Sequence, residues 1–254
     1  VVDWSGPLPA DTAIAVGLGE LTGNPSWLLS NKVGRQWLQI IEHKNAPDRD
    51  ALNSFGWMAM ETLVQDVDEL AQSLSDSPFE LLRPPADLDV SDKIRACQAK
   101  GPAGEILYLT QVNGEVPPFD LPKCQAPVDH LFIPVLSTPS RDCSLADYSG
   151  ISGNEGISFD TRITVVNQAR GFELERRHPV ATLQLAGQAL IEIDQIAETA
   201  QIDSGIYSGM ACVAFRCSAD PDIDALPQSG VAFANSLASA HTGTAGESFT
   251  LIYS

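Results

Sequence analysis

The sequence predicts an α+β protein built from repeated βαβββ units. Three observations predict it. Strand-like runs and one strongly signalled helix follow each other in that order in the first half. A short string, GxAGExxxL, occurs at residues 101–109 and again at 243–251, displaced by 142 residues. Between the halves lies Asn113 to Pro127, with four prolines in fifteen residues, which neither a helix nor a central strand accommodates.

Taken in order, Trp57 to Val64 is an apolar run that predicts a strand ending at an acidic turn. Val67, Leu70, Ala71 and Leu74 then recur at helical spacing, with Asp66, Asp68 and Glu69 at the start, where acids suit the positive end of the helix dipole. Phe79 to Leu82, Lys93 to Ala99 and Ile106 to Val112 predict three further strands, the last entered through the Gly101-Pro-Ala-Gly turn. In the second half Asp129 to Leu136 predicts a strand and Ser140 to Gly150 a helix ending at Gly150 or Gly153. Ile163 to Val166, Val180 to Leu185 and Ala189 to Asp194 predict the remaining strands. Upstream of the second GxAGE string, Ser208-Gly-Met-Ala parallels Gly56-Trp-Met-Ala. The expected division is an N-terminal domain over 11–113, a proline-rich linker over 114–126 and a C-terminal domain over 127–254.

Composition narrows the partners. The 254 residues carry 15 Lys+Arg against 33 Asp+Glu, a net charge of −18. Nucleic-acid affinity rests on cations meeting phosphates, so no nucleic-acid partner is expected, nor an anionic membrane surface. A neutral or cationic small molecule is compatible. No apolar run is long enough to cross a bilayer and no signal peptide is visible. Five cysteines without a CxxC pair predict reduced thiols and a cytoplasmic protein. No GxGxxG after a strand, P-loop or GxSxG elbow appears.

With its Gly56-Trp-Met-Ala-Met-Glu-Thr-Leu-Val-Gln-Asp-Val-Asp-Glu-Leu segment, its Gly101-Pro-Ala-Gly-Glu-Ile-Leu-Tyr-Leu-Thr turn and strand, and Val128-Asp-His-Leu-Phe-Ile-Pro-Val, the chain resembles the vicinal oxygen chelate superfamily. That group holds glyoxalases, bleomycin-resistance proteins and extradiol dioxygenases, and the likeness runs from about Ala13 to Leu251. It implies tandem βαβββ modules pairing into cupped mixed sheets around a small molecule and, in the enzymes, a divalent metal held by His, Gln or Glu on facing strands. Carried over by position, it implies His130 and Glu192 as metal ligands, with Fe, Mn, Ni or Zn as the ion. The matching positions elsewhere hold Ala59, Ala211, Tyr108 and Thr250, which make the second half-site poor.

Glu61 lies on an otherwise apolar strand. A carboxylate desolvated in a cup has a raised pKa and abstracts a proton near neutrality, while Tyr108 would donate to a developing oxyanion. Two functions follow. One is a metal-free binder whose cup is lined by Trp37, Trp57, Tyr108 and Phe132 and whose acidity suits a cationic guest. The other is a metal-dependent lyase, isomerase or dioxygenase acting on vicinal oxygens. The binder is the preferred expectation, as a monomer or homodimer.

Overall fold

The computed structural model describes residues 1–88, 91–203, 205–217, 231–233 and 236–253. It opens with β1 (Val2–Pro7), α1 (Ala10–Ala15), β2 (Pro25–Ser30) and β3 (Gln36–Ile41), whose strands form an antiparallel sheet in that order. Next come β4 (Gly56–Val64), α2 (Val67–Leu74), β5 (Glu80–Leu88), β6 (Ser91–Lys100) and β7 (Ile106–Val112). Then follow β8 (Val128–Thr138), α3 (Arg141–Ser152), β9 (Ile157–Arg162), α4 (Thr164–Ala169), β10 (Arg177–Gln184) and β11 (Leu190–Gln195). The chain closes with β12 (Val213–Cys217), β13 (Val231–Phe233), β14 (Ser236–Thr242) and β15 (Ser248–Tyr253).

The two middle modules share one eight-stranded sheet, in the order β5-β6-β7-β4-β8-β11-β10-β9. In each module the first strand runs parallel to the fourth, β4 with β7 and β8 with β11, and the others pair antiparallel. The modules meet through their first strands, β4 antiparallel to β8. Segment 114–126, expected as a divide between domains, thus connects two modules of a single sheet. Its Phe119, Leu121 and Cys124 pack on Leu63, Phe132 and Leu190. The last sheet repeats the order, β12-β15-β14-β13 with β12 parallel to β15. Residues 1–41 repeat the last three strands of the pattern, with α1 standing where α4 stands between β9 and β10.

Local chemistry explains these elements. All nine residues of β4 are buried, as a central strand packed on both faces requires. The Asp66 side chain caps α2 by accepting from the Glu69 amide at 2.9 Å, and Val67, Ala71 and Leu74 pack on Cys97, Ala99 and Leu109. Ser140 caps α3, which stops at Gly153 in the left-handed region (φ 73°). The repeated GxAGE string is one turn built twice. Gly101 N–H donates to Glu105 O (2.8 Å) and Gly243 N–H to Glu247 O (2.9 Å). Each glutamate carboxylate folds back to accept from the alanine amide two residues earlier, at 2.9 and 3.0 Å. A side chain at Gly101 or Gly243 would occupy the space that carboxylate takes.

One expected strand is helix. Ile163 caps α4, and Thr164 to Val166 form its first turn, while the second strand of the module is Ile157–Arg162. Burial of Val165 and Val166 against the sheet overrides their β propensity. All five cysteines are free thiols. Among the described residues no helix is long and apolar enough to cross a membrane.

Candidate functional site: a carboxylate cluster on the cupped sheet

Alternate residues of a strand share a face, and the register of the central strands brings four polar side chains to one place. Glu61 on β4 stands opposite Tyr108 on β7 and Ile133 on β8. Glu192 on β11 stands opposite Val135 on β8 and Thr182 on β10. Asp194, two residues beyond Glu192, keeps its face. Glu61, Tyr108 and Asp194 are 7%, 8% and 0% exposed, while Glu192 is half-buried. The surroundings are apolar: Ala59, Met58, Val135 and Val180 from the sheet, and Val165 and Val166 from α4.

Burial dominates the electrostatics. Desolvation, with Glu192 adding like-charge repulsion, pushes the Glu61 carboxyl up to about 8, against a hydrogen bond from Thr110 Oγ1 to Glu61 Oε1 at 2.8 Å. Desolvation raises Glu192 to about 7, against a hydrogen bond from Asp194 that favours its ionised form. Asp194 rises well above its ordinary range through desolvation, then repulsion from Glu192, a hydrogen bond shared with the Glu192 carboxyl, and repulsion from Glu61. The Tyr108 hydroxyl is held protonated by burial and the same three acids. No basic group contributes to any of these shifts. Among the described residues no N–H or hydroxyl donor reaches either oxygen of Asp194, which pairs only with the Glu192 carboxyl, and the Tyr108 hydroxyl has no hydrogen-bond partner. Buried carboxylates left so are costly when ionised, so the cluster holds protons at neutral pH and titrates as a unit.

The expected residues divide accordingly. Glu61, Tyr108 and Glu192 come together. His130 does not join them. It lies five residues along β8 from Val135, the partner of Glu192, which is about 16 Å of strand. Its ring contacts Asp129 Oδ1 (2.8 Å) and Arg35 Nη1 (2.6 Å), and Asp129 also takes the Asn31 amide. That network ties the β2–β3 turn to the start of β8. Trp57 faces away from the cluster, where Nε1 donates to Ser248 O at 2.7 Å and the ring packs near Tyr148 and Phe215. Phe132 packs with Leu63 and Leu190 beneath the linker. Trp37 sits on β3 in the separate three-stranded sheet. The expected aromatic lining of the cup thus reduces to Tyr108.

Asp194 and Thr110 were not anticipated. The available signal was parity: Asp194 is two residues from Glu192, and Thr110 two from Tyr108.

The donor set also bears on the implied metal. It consists of carboxylate and hydroxyl oxygens, whereas imidazole suits zinc, nickel and iron. Among the described residues no group of three or more His, Cys, Asp or Glu is placed to hold a metal ion. The residues therefore do not fit a tightly held Fe, Ni or Zn.

No protein-family model matches the sequence, and a search of curated proteins finds no significant match. Solved structures do match. Glyoxalase I from Zea mays aligns with a TM-score of 0.56 at 14% identity, over 91% of this chain and 78% of that one. A protein from Bacillus subtilis described as a dioxygenase aligns with a TM-score of 0.56 at 12% identity, over 91% and 72%. With the module order and the β4–β8 seam, these likenesses show the fold: the chain has the tandem βαβββ glyoxalase/dioxygenase fold.

Proposed function

We propose that this chain is a glyoxalase-like small-molecule-binding protein whose cup takes a cationic organic guest at the Glu61–Glu192–Asp194 cluster, without a tightly held catalytic metal. The observation that carries the reading is Asp194, a fully buried carboxyl that among the described residues no N–H or hydroxyl donor reaches and that shares a hydrogen bond only with another acid, Glu192. Beside it stand two more acids whose ionisation no basic side chain favours. A cation supplied by a guest would satisfy that set. Half-buried Glu192 is the group it meets first. The net charge of −18 would concentrate such a guest near the protein.

Because the acids are protonated when the cup is empty of charge, a cation must displace protons, and affinity rises with pH through 7 to 8. Calorimetry with benzyltrimethylammonium at pH 6, 7 and 8.5 tests this. Binding that strengthens with pH and is lost in the double variant Glu61→Gln, Asp194→Asn supports it. Binding that ignores both pH and the variant overturns it. The same titration with Mn²⁺ and Mg²⁺ distinguishes an inorganic cation.

The shifts toward neutrality favour a second reading, an enzyme in which Glu61 removes a proton from bound substrate while Tyr108 donates to the oxygen that gains charge. Turnover of any α-hydroxy or dicarbonyl substrate that Glu61→Gln abolishes while leaving substrate binding intact would favour it.

A further inference from the structure

Away from the carboxylate cluster, where the start of β4 meets the segment leading into β12, lies a cavity of about 440 Å³. Small organic ligands occupy cavities of about this size. Arg49, Phe55, Trp57, Ile206, Tyr207 and Met210 line it. Aliphatic and aromatic side chains form one part of that wall, and Arg49 is the one basic residue among those lining it. Its guanidinium is fixed on one side only: Nε donates to Ser54 Oγ at 2.8 Å and Nη2 to Phe55 O at 3.0 Å. Among the described residues Nη1 has no hydrogen-bond acceptor and no carboxylate lies within 4.0 Å of Arg49; its neighbour Asp50 is exposed and acts only at longer range. Gly56, at φ 106°, leaves the room: a side chain there would stand 3.2 Å from Nη2. The rigid cation, its unused donor and the apolar wall beside it are thus held in one place by backbone and side-chain contacts.

We infer that this cavity binds a small monocarboxylic acid with an apolar or aromatic body, its carboxylate on Arg49 Nη1 and its body against Trp57, Tyr207 and Met210. A guanidinium hydrogen bond to a carboxylate is charge-assisted and strong, and the ligand replaces the missing counter-charge. Glu20 and Glu247 also line the cavity. Their proximity disfavours a doubly charged phosphate and selects a single negative charge.

The test uses the full chain with phenylacetate and its neutral amide, phenylacetamide, as probes, followed by calorimetry. Phenylacetate is expected to bind at least about tenfold more tightly than the amide. Arg49→Gln is expected to remove that preference. Ala211→Trp, which fills the cavity without touching the guanidinium, is expected to abolish binding of both and keeps the test open if Arg49→Gln fails to fold. Equal affinity for acid and amide, undiminished binding in either variant, or no binding of phenylacetate at about 10 mM overturns the inference.

Discussion

The parallel pairing of a first strand with a fourth occurs on both the eight-stranded sheet and the last sheet, and the two sheets differ in what stands at that junction. On the eight-stranded sheet that junction carries Glu61 beside Tyr108, with Glu192 and Asp194 from the partner module. On the sheet of β12 and β15 the same register pairs Ala214 with Thr250. There the Thr250 hydroxyl donates to Ala15 O at 2.9 Å, so α1 is fastened where α4 merely packs. One junction is a buried cluster of acids to which no basic group contributes, and the other a satisfied neutral contact. The backbone repeat sets where side chains converge; residue identity decides whether the place is reactive or structural.

That contrast is sharpest in pH dependence. Glu61 and Glu192 titrate near 8 and 7 in the folded protein, against an ordinary value of 4.5. The folded state therefore holds protons that the unfolded chain has released. Stability is full below about pH 4.5 and is lost as pH rises through 7 to 8, at up to about 1.4 kcal/mol per pH unit for each group. Thermal melts from pH 5 to 9 are expected to fall steadily, and the double variant Glu61→Gln, Asp194→Asn to flatten the curve and melt several degrees higher at pH 9. A wild-type curve that is flat over this range would show that the acids are not buried together.

The repeated turn offers a second comparison. Glu247 is 3% exposed and takes the Tyr148 hydroxyl at 2.8 Å, whereas Glu105 is half-buried and serves only its own turn. Glu247→Ala leaves the Tyr148 hydroxyl without its partner and is expected to cost about 2–3 kcal/mol, against about 0.5 kcal/mol for Glu105→Ala, by urea denaturation. Equal losses would mean the two turns are energetically alike.

Smaller still is the difference between two threonines. Thr110→Val removes the donor to Glu61, and Thr250→Val the donor to Ala15, each worth about 1 kcal/mol. The first loss is expected to grow from pH 6 to pH 9 as Glu61 ionises, and the second to stay constant. His130→Ala is expected to leave the cluster's titration unchanged, since its ring serves Arg35 and buried Asp129 rather than the cluster. A shifted titration would return His130 to the site.

How far the sequence could be read depends on strand regularity. Glu61, Tyr108 and Glu192 were legible because an acid on an apolar strand and a repeat displaced by 142 residues survive without knowledge of pairing. Trp57 was misplaced because counting by twos puts it beside Ala59 and Glu61. On β4, however, Trp57 opposes Leu136 and Ala59 opposes Val135, an irregularity that gives β4 one extra residue and turns the indole to the other face. Asp194 could have passed for a solvated neighbour of Glu192, since only tertiary packing buries that face of β11. The helix at Thr164 was hidden by β-branched residues whose burial over the sheet outweighs local preference. The linker's composition reads as a connection, but nothing in it tells that the strands on either side are hydrogen-bonded partners.

That seam has a practical consequence. Because β4 and β8 lie side by side on either side of residues 114–126, cutting the connection would not free two independent bodies. Fragments 1–113 and 127–254 made separately would each expose the bare edge of a central strand, a surface prone to aggregation. Brought together as they fold, they should recombine, making this chain a natural candidate for split-protein complementation.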